Sequence, residues 1–117
     1  MYTKEEIIRL IEGGENSAVE FKTAEVKIYS LAKEIVAFSN TNGGVIFLGV
    51  DDNGTITGLD GKKNFEEWAA NIARNNIIPA VHTQYYEVRV HDKKIGVLEV
   101  DKGKDKPYQT INHRPYR

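Results

Sequence analysis

The chain has 117 residues, enough for one domain with its own apolar core and no need of metal or disulfide staples. A content of 40% hydrophobic and 28% charged residues is that of a globular protein and excludes global disorder, and the lack of any cysteine excludes a disulfide framework, a thiolate zinc site and a thiol nucleophile. The net charge of −1 excludes a uniformly basic polyanion binder.

In chain order, Thr3-Lys4-Glu5-Glu6 reads as a capping box that opens a short helix with Ile7, Ile8, Leu10 and Ile11 apolar, stopped at Gly13-Gly14. Ala18 to Lys22 predicts a strand with Val19 and Phe21 on one side, Glu20 and Lys22 on the other. From Val26 to Asn40, apolar residues recur at helical spacing through Ile28, Leu31, Ala32, Ile35 and Phe38, predicting the principal helix. Asn40-Thr41-Asn42-Gly43-Gly44 ends it with residues that tolerate positive φ or bond to backbone. Val45 to Val50 is a continuous apolar run, expected as a central buried strand and too short to span a bilayer. Asp51-Asp52-Asn53-Gly54 is a turn, after which Thr55 to Leu59 is expected to return as a hairpin partner. Asn64 caps a third helix bearing Phe65, Trp68, Ala69, Ile72 and Ala73, and Pro79 forbids its continuation. Gln84 to His91 and Ile95 to Val100 read as an antiparallel pair joined by Asp92-Lys93-Lys94, and Tyr108 to Arg117 adds a last strand. The expected fold is α+β: a mixed or antiparallel sheet packed with about three helices, in one domain over residues 1–117.

Charge is unevenly spread. Residues 1–82 hold 8 Lys or Arg against 12 Asp or Glu, and residues 83–117 hold 8 against 5. This allows a basic face built from Lys93, Lys94, Lys102, Lys104, Lys106, Arg114 and Arg117, with Lys22 and Lys27 nearer the centre. Such side chains contact phosphate without reading sequence. Tyr108 and Tyr116, interleaved with them, can stack on bases, although packing against the sheet is the plainer account. His82, His91 and His113 lack the spacing of a metal site. No phosphate loop is present: near Gly61-Lys62, Ile56 stands where the first glycine belongs and Lys63 where a hydroxyl belongs, so no ATP site is expected. The N-terminal ten residues contain no apolar stretch of the signal-peptide kind, and with the cysteine-free composition this fits a cytoplasmic protein with no membrane partner.

Residues 37–58 carry the pattern AF-x-N-T-x-GG, an apolar strand ending in GV-D, then G-x-I-x-G. With Glu15-Asn16-Ser17-x-x-Glu20-Phe21-Lys22 before it, Ile78-Pro79 after the third helix and Lys106-Pro107-Tyr108 and Tyr116-Arg117 at the close, it resembles the Schlafen AlbA-type DNA-binding domain over nearly the whole chain. The resemblance implies a nucleic-acid partner, DNA or RNA. It also implies a place at the N-terminus of a longer bacterial or archaeal protein described as a transcriptional regulator or helicase-related. The ending at Tyr116-Arg117, inside a predicted strand, is expected of such a fragment.

Ribonucleolytic Schlafen proteins carry an acidic cluster, and Glu15, Glu20 and Asp51 (or Asp52) stand at matching places. With Lys22 as the cation beside them, the resemblance implies a Mg- or Mn-dependent nuclease as the alternative function, the three carboxylates being the metal ligands. The ribonucleases join two such domains in one clamp, so a homodimer is the expected route to the same groove here. The alternative without catalysis is a binding or interaction module.

Overall fold

A computed structural model describes residues 1–111 of the chain. The expected strand from Tyr108 to Arg117 falls partly outside that span, as do His113, Arg114, Tyr116 and Arg117.

The capping box forms as read. Thr3 Oγ1 accepts from the Glu6 N–H (3.1 Å), and Glu6 Oε1 accepts from the Thr3 N–H (2.8 Å). Helix α1 (Lys4–Glu12) then buries only Ile7 and Ile11. Strand β1 (Val19–Lys22) alternates buried and half-buried residues. Helix α2 (Ile28–Asn40) buries Leu31, Ala32, Ile35 and Phe38 along one stripe. Strand β2 (Gly44–Leu48) is buried on both faces. Helix α3 (Phe65–Asn75) is capped by Asn64, whose Oδ1 accepts from the Glu67 N–H at 3.0 Å. A two-residue strand β3 (Ile77–Ile78), the long strands β4 (Thr83–Val90) and β5 (Lys93–Val100) and a short β6 (Gln109–Thr110) complete the order.

The main sheet runs β1-β2-β5-β4, with β1 parallel to β2 and the other pairs antiparallel. β3 and β6 pair separately, antiparallel, so the fold is α+β with a mixed four-stranded sheet. Because side chains alternate along a strand, the sheet has two apolar faces. Val19, Phe21, Val45, Phe47, Ile95 and Val97 meet Ile7 and Ile11 of α1 on one side. Ile46, Leu48, Leu98 and Val100 meet α2 and α3 on the other. β2 reads as an unbroken apolar run because it is sandwiched between both layers.

Two local expectations are corrected. The loop between β4 and β5 is His91-Asp92, not Asp92-Lys93-Lys94. Both residues hold positive φ (51° and 63°), the requirement of a two-residue turn whose twist matches its strands. Lys93 and Lys94 thereby become part of β5. Nor does Thr55 to Leu59 form a hairpin strand: it makes one bridge, Val50 to Ile56. Gly49, at φ +96°, turns the chain sharply, and its carbonyl accepts from both Thr57 and Gly58 N–H (2.8 Å each). The segment then crosses to β5, where the Leu59 N–H donates to the Lys94 carbonyl at 2.8 Å.

Candidate nucleic-acid interface

The Asn/Gly-rich exit from α2 is a receptor for the C-terminal segment. Asn40 Nδ2 donates to the Tyr108 carbonyl (3.0 Å), and its Oδ1 accepts from the Tyr108 N–H (2.8 Å). Gly103 N–H donates to the Ser39 carbonyl at 2.8 Å. Gly43, at φ +80°, lies so close to β5 that a Cβ there would sit 2.7 Å from the Val100 carbonyl oxygen. Gly44 has no left-handed φ but lies beneath the Phe38 ring, 2.6 Å from where its Cβ would be. Thr41 Oγ1 donates to the Ala37 carbonyl (2.9 Å), satisfying a helix-end group, while Asn42 is exposed. Tyr108 is buried, and its hydroxyl accepts from the Asp105 N–H at 3.0 Å. Its ring is therefore occupied by packing rather than offered to a base.

At the outer strand of the sheet, Glu20 and Lys22 point together toward α2, as the alternation of β1 requires. Lys22 Nζ lies 3.9 Å from Glu20 Oε2 and 3.4 Å from Glu34 Oε2. Glu15 bonds to the Glu20 carboxyl, and its own Oε2 accepts from the Phe21 N–H at 3.0 Å. Burial, the hydrogen bond that protonated Glu20 donates to Glu15 and the nearby charges of Glu34 and Glu15 push the Glu20 carboxyl up to about 7, with Lys22 pulling it back only in part. Glu34 was not among the residues the motif singles out. Its one signal in the sequence is its place beside the α2 stripe, three residues after Leu31.

Asp51 does not join this group. Its Oδ1 accepts from the N–H groups of Asn53 (2.9 Å) and Thr55 (3.0 Å), which holds the turn after β2. It shares with Lys22 a different space, an open cleft of about 330 Å³ also lined by Lys27, Ser30 and Asp52. Among the described residues no three His, Asp or Glu side chains are disposed to hold a metal ion. The ammonium of Lys22 stands between Glu20 and Glu34, and Asp51 Oδ1 is engaged by its own turn. The donor set of Glu15, Glu20 and Asp51 does not fit a magnesium or manganese ion in this arrangement.

The lysines separate into two groups. Register places Lys22 beside Leu48 and Leu48 beside Gly96, so Lys93 and Lys94 fall at the end of the sheet where β1 and β2 finish. Lys27, the residue before α2, follows β1 at that same end. Lys102, Lys104 and Lys106 are exposed beyond the opposite end, roughly 23 Å of strand β5 away. The first end gains a cation that the sequence did not single out: Arg89, opposite Lys94 on β4, whose Nη1 donates to the Asp92 carbonyl at 3.1 Å. Arg89, Lys93 and Lys94 line a shallow cleft of about 280 Å³ with Asp60, Asp92 and the segment from Gly58 to Gly61, so three cations face two carboxylates there. Both glycines have positive φ, and Gly58 packs directly on the Lys93 stem. Lys94 is tied to Glu87 at 3.5 Å. Lys63 lies over the Trp68 ring at 3.7 Å. A second omission is Tyr29, whose ring is 62% exposed in the first turn of α2, with Lys33 Nζ 5.8 Å from its centre.

These features define a small α+β domain, sheet-centred, with a half-buried carboxylate cluster at one strand edge and cations at one strand end. Residues 15–117 match the Schlafen, AlbA_2 family, and the chain belongs to it. No curated protein matches the sequence. Among solved structures it resembles the N-terminal domain of a Nitrosomonas europaea protein named for its relation to the ATP-dependent DNA helicase RecG. The TM-score is 0.80 at 22% identity, over 98% of this chain and 84% of that one. It also resembles the DIP2311 protein of Corynebacterium diphtheriae, with a TM-score of 0.61 at 20% identity, over 94% of this chain. This chain spans 20% of that protein's length. Among the described residues no helix is long and apolar enough to cross a membrane.

Proposed function

We propose that the chain is a nucleic-acid-binding module, with DNA as its partner, acting as part of a longer cytoplasmic transcriptional regulator. The observation that supports this most directly is the gathering of Lys22, Lys27, Arg89, Lys93 and Lys94 at one end of the sheet, contributed by four separate elements. Beside them Gly61 has nothing within 4 Å of where a side chain would stand, so a phosphate backbone can approach closely there. The family, and the helicase-related name borne by the N. europaea protein, point the same way. A DIP2311 chain five times as long as its matched part supports a place within a larger protein.

Contacts of this kind release counterions, so affinity depends steeply on salt. Labelled duplex DNA and single-stranded RNA, titrated at several salt concentrations, test the proposal. The logarithm of the affinity is expected to fall linearly with that of salt, with a slope of about 0.9 for each phosphate engaged on duplex DNA. An affinity indifferent to salt rules the reading out, and the ratio of the two affinities chooses between DNA and RNA.

A second reading, cleavage of nucleic acid, is supported by one arrangement, the crowding of Glu15, Glu20 and Glu34 around Lys22 at the β1 edge. The Glu20 carboxyl, raised to about 7, can take and give a proton near neutrality. Glu15, Glu20 and Asp51 do not form one ligand set for magnesium or manganese in the present geometry. Incubation of RNA and DNA with manganese, beside Glu20→Ala, decides: cutting that the variant loses establishes this reading, and intact substrate removes it.

A further inference from the structure

An edge strand presents unpaired N–H and C=O groups, a template for another strand unless something covers it. The two edges of the main sheet differ in this respect. Along β1 the preceding segment provides the cover. Asn16 and Val19 exchange backbone bonds in both directions (3.0 and 3.3 Å), and the Glu15 carboxylate takes the Phe21 N–H. Along β4, eight residues long, the described residues supply no such partner.

The loop at His91-Asp92 fixes which groups of β4 are left over. The pair flanking a two-residue loop, here Val90 and Lys93, is the hydrogen-bonded kind, so Val88, Tyr86 and Gln84 also bond to β5. Thr83, Tyr85, Glu87 and Arg89 therefore turn their N–H and C=O groups outward. Exposed charge usually protects such an edge, and a run of one sign would repel a second copy. Glu87 and Arg89 are instead opposite in sign, both exposed, two residues apart and so on one face.

That pattern is complementary to itself. When two copies meet antiparallel about a two-fold axis through Val88, Glu87 of each stands opposite Arg89 of the other, giving two cross-strand ion pairs. The axis through Glu87 would set that carboxylate against its own copy. The axis through Tyr86 would leave both charges facing neutral residues, Tyr85 and Thr83. In the Val88 register the two valines form a non-hydrogen-bonded pair, with Cα atoms about 4.5 Å apart. The apolar contact they make extends the face that α1 covers. We infer that β4 is a self-association edge, joining two copies of this chain into one continuous eight-stranded sheet. Nothing in this pairing depends on nucleic acid.

Sedimentation equilibrium of the whole chain, from about 10 µM to about 1 mM, covers the affinities expected of so small a contact. The mass is expected to rise from one 13.2 kDa chain toward twice that value. Glu87→Arg and Arg89→Glu should each remain single chains, weakened at least ~10-fold in self-association, because each sets like charges opposite. Mixed in equal amounts, the two variants should pair with one another, since a strand bearing two arginines then faces a strand bearing two glutamates. That rescue cannot arise from misfolding, and circular dichroism of each variant checks the fold separately. A wild-type chain that stays single at the highest concentration overturns the inference. So does a Glu87→Arg chain that associates like wild type, or a mixture that fails to pair.

Discussion

Glu20 lives in a setting that works against its charge: half-buried, bonded to Glu15, and within reach of Glu34. Its carboxyl is raised from 4.5 to about 7 on folding. Between those two values the folded chain keeps a proton that the unfolded chain has released, so acidification favours the fold. Stability is therefore expected to fall as pH rises from about 4.5 to about 7, and to level off above it. Glu20→Gln mimics the protonated state and can still donate to Glu15. Above pH 7 it should be more stable than wild type by about 1 kcal/mol, a figure held down because solvent reaches the site. Below pH 4.5 the difference should vanish. Urea midpoints of the two proteins across pH measure this, and the contributions of the histidines cancel in the difference. Parallel curves for wild type and variant would show that Glu20 keeps an ordinary carboxyl in the folded chain.

Among the elements, the helix-to-strand passage at Gly43 makes the strictest demand on the sequence. An alanine there would need a left-handed backbone and would place its Cβ 2.7 Å from the Val100 carbonyl oxygen, a backbone atom that cannot swing aside. Gly61 has a similar φ, +76°, but nothing lies near its missing Cβ. Gly61→Ala should therefore cost only the conformational penalty, about 1 kcal/mol, and Gly43→Ala at least about 2 kcal/mol. Equal losses in thermal unfolding would mean the close approach to β5 is not felt. What the sequence disclosed at this scale was what is local. The caps at Thr3 and Asn64, the stripe through Leu31, Ile35 and Phe38 and the apolar run of β2 each depend on residues a few positions apart. The pairing of Ile77-Ile78 with Gln109-Thr110 does not, since it is set by how the C-terminal segment lies against Asn40. Glu34 could be placed beside Lys22 only once β1 was known to lie under α2. Arg89 was hidden for the same reason: its neighbours come from the turn at His91-Asp92, which the sequence had misplaced toward Lys93.

For the whole molecule, register decides what charge means. Lys93, Lys94, Lys102, Lys104 and Lys106 look like one basic tract in the chain, yet β5 carries the first two to one end of the sheet and leaves the others beyond the opposite end. A rigid duplex lying against one end cannot engage the other group equally, because roughly 23 Å of strand separates them. The two groups are therefore distinguishable by substitution. Replacing Arg89, Lys93 and Lys94 with alanine removes charges from the end that also holds Lys22 and Lys27 and the bare backbone of Gly61. Replacing Lys102, Lys104 and Lys106 changes the net charge of the chain by the same amount. If net charge alone governed binding, both triple variants would weaken it alike. If the glycine-lined end is the contact, the first should lower the salt slope by about one for each phosphate no longer engaged, and affinity with it, while the second leaves the slope near that of wild type. Duplex titrations of the three proteins at several salt concentrations separate these outcomes. A slope lowered only by the second variant would move the interface to the far end of the sheet, where α2 terminates.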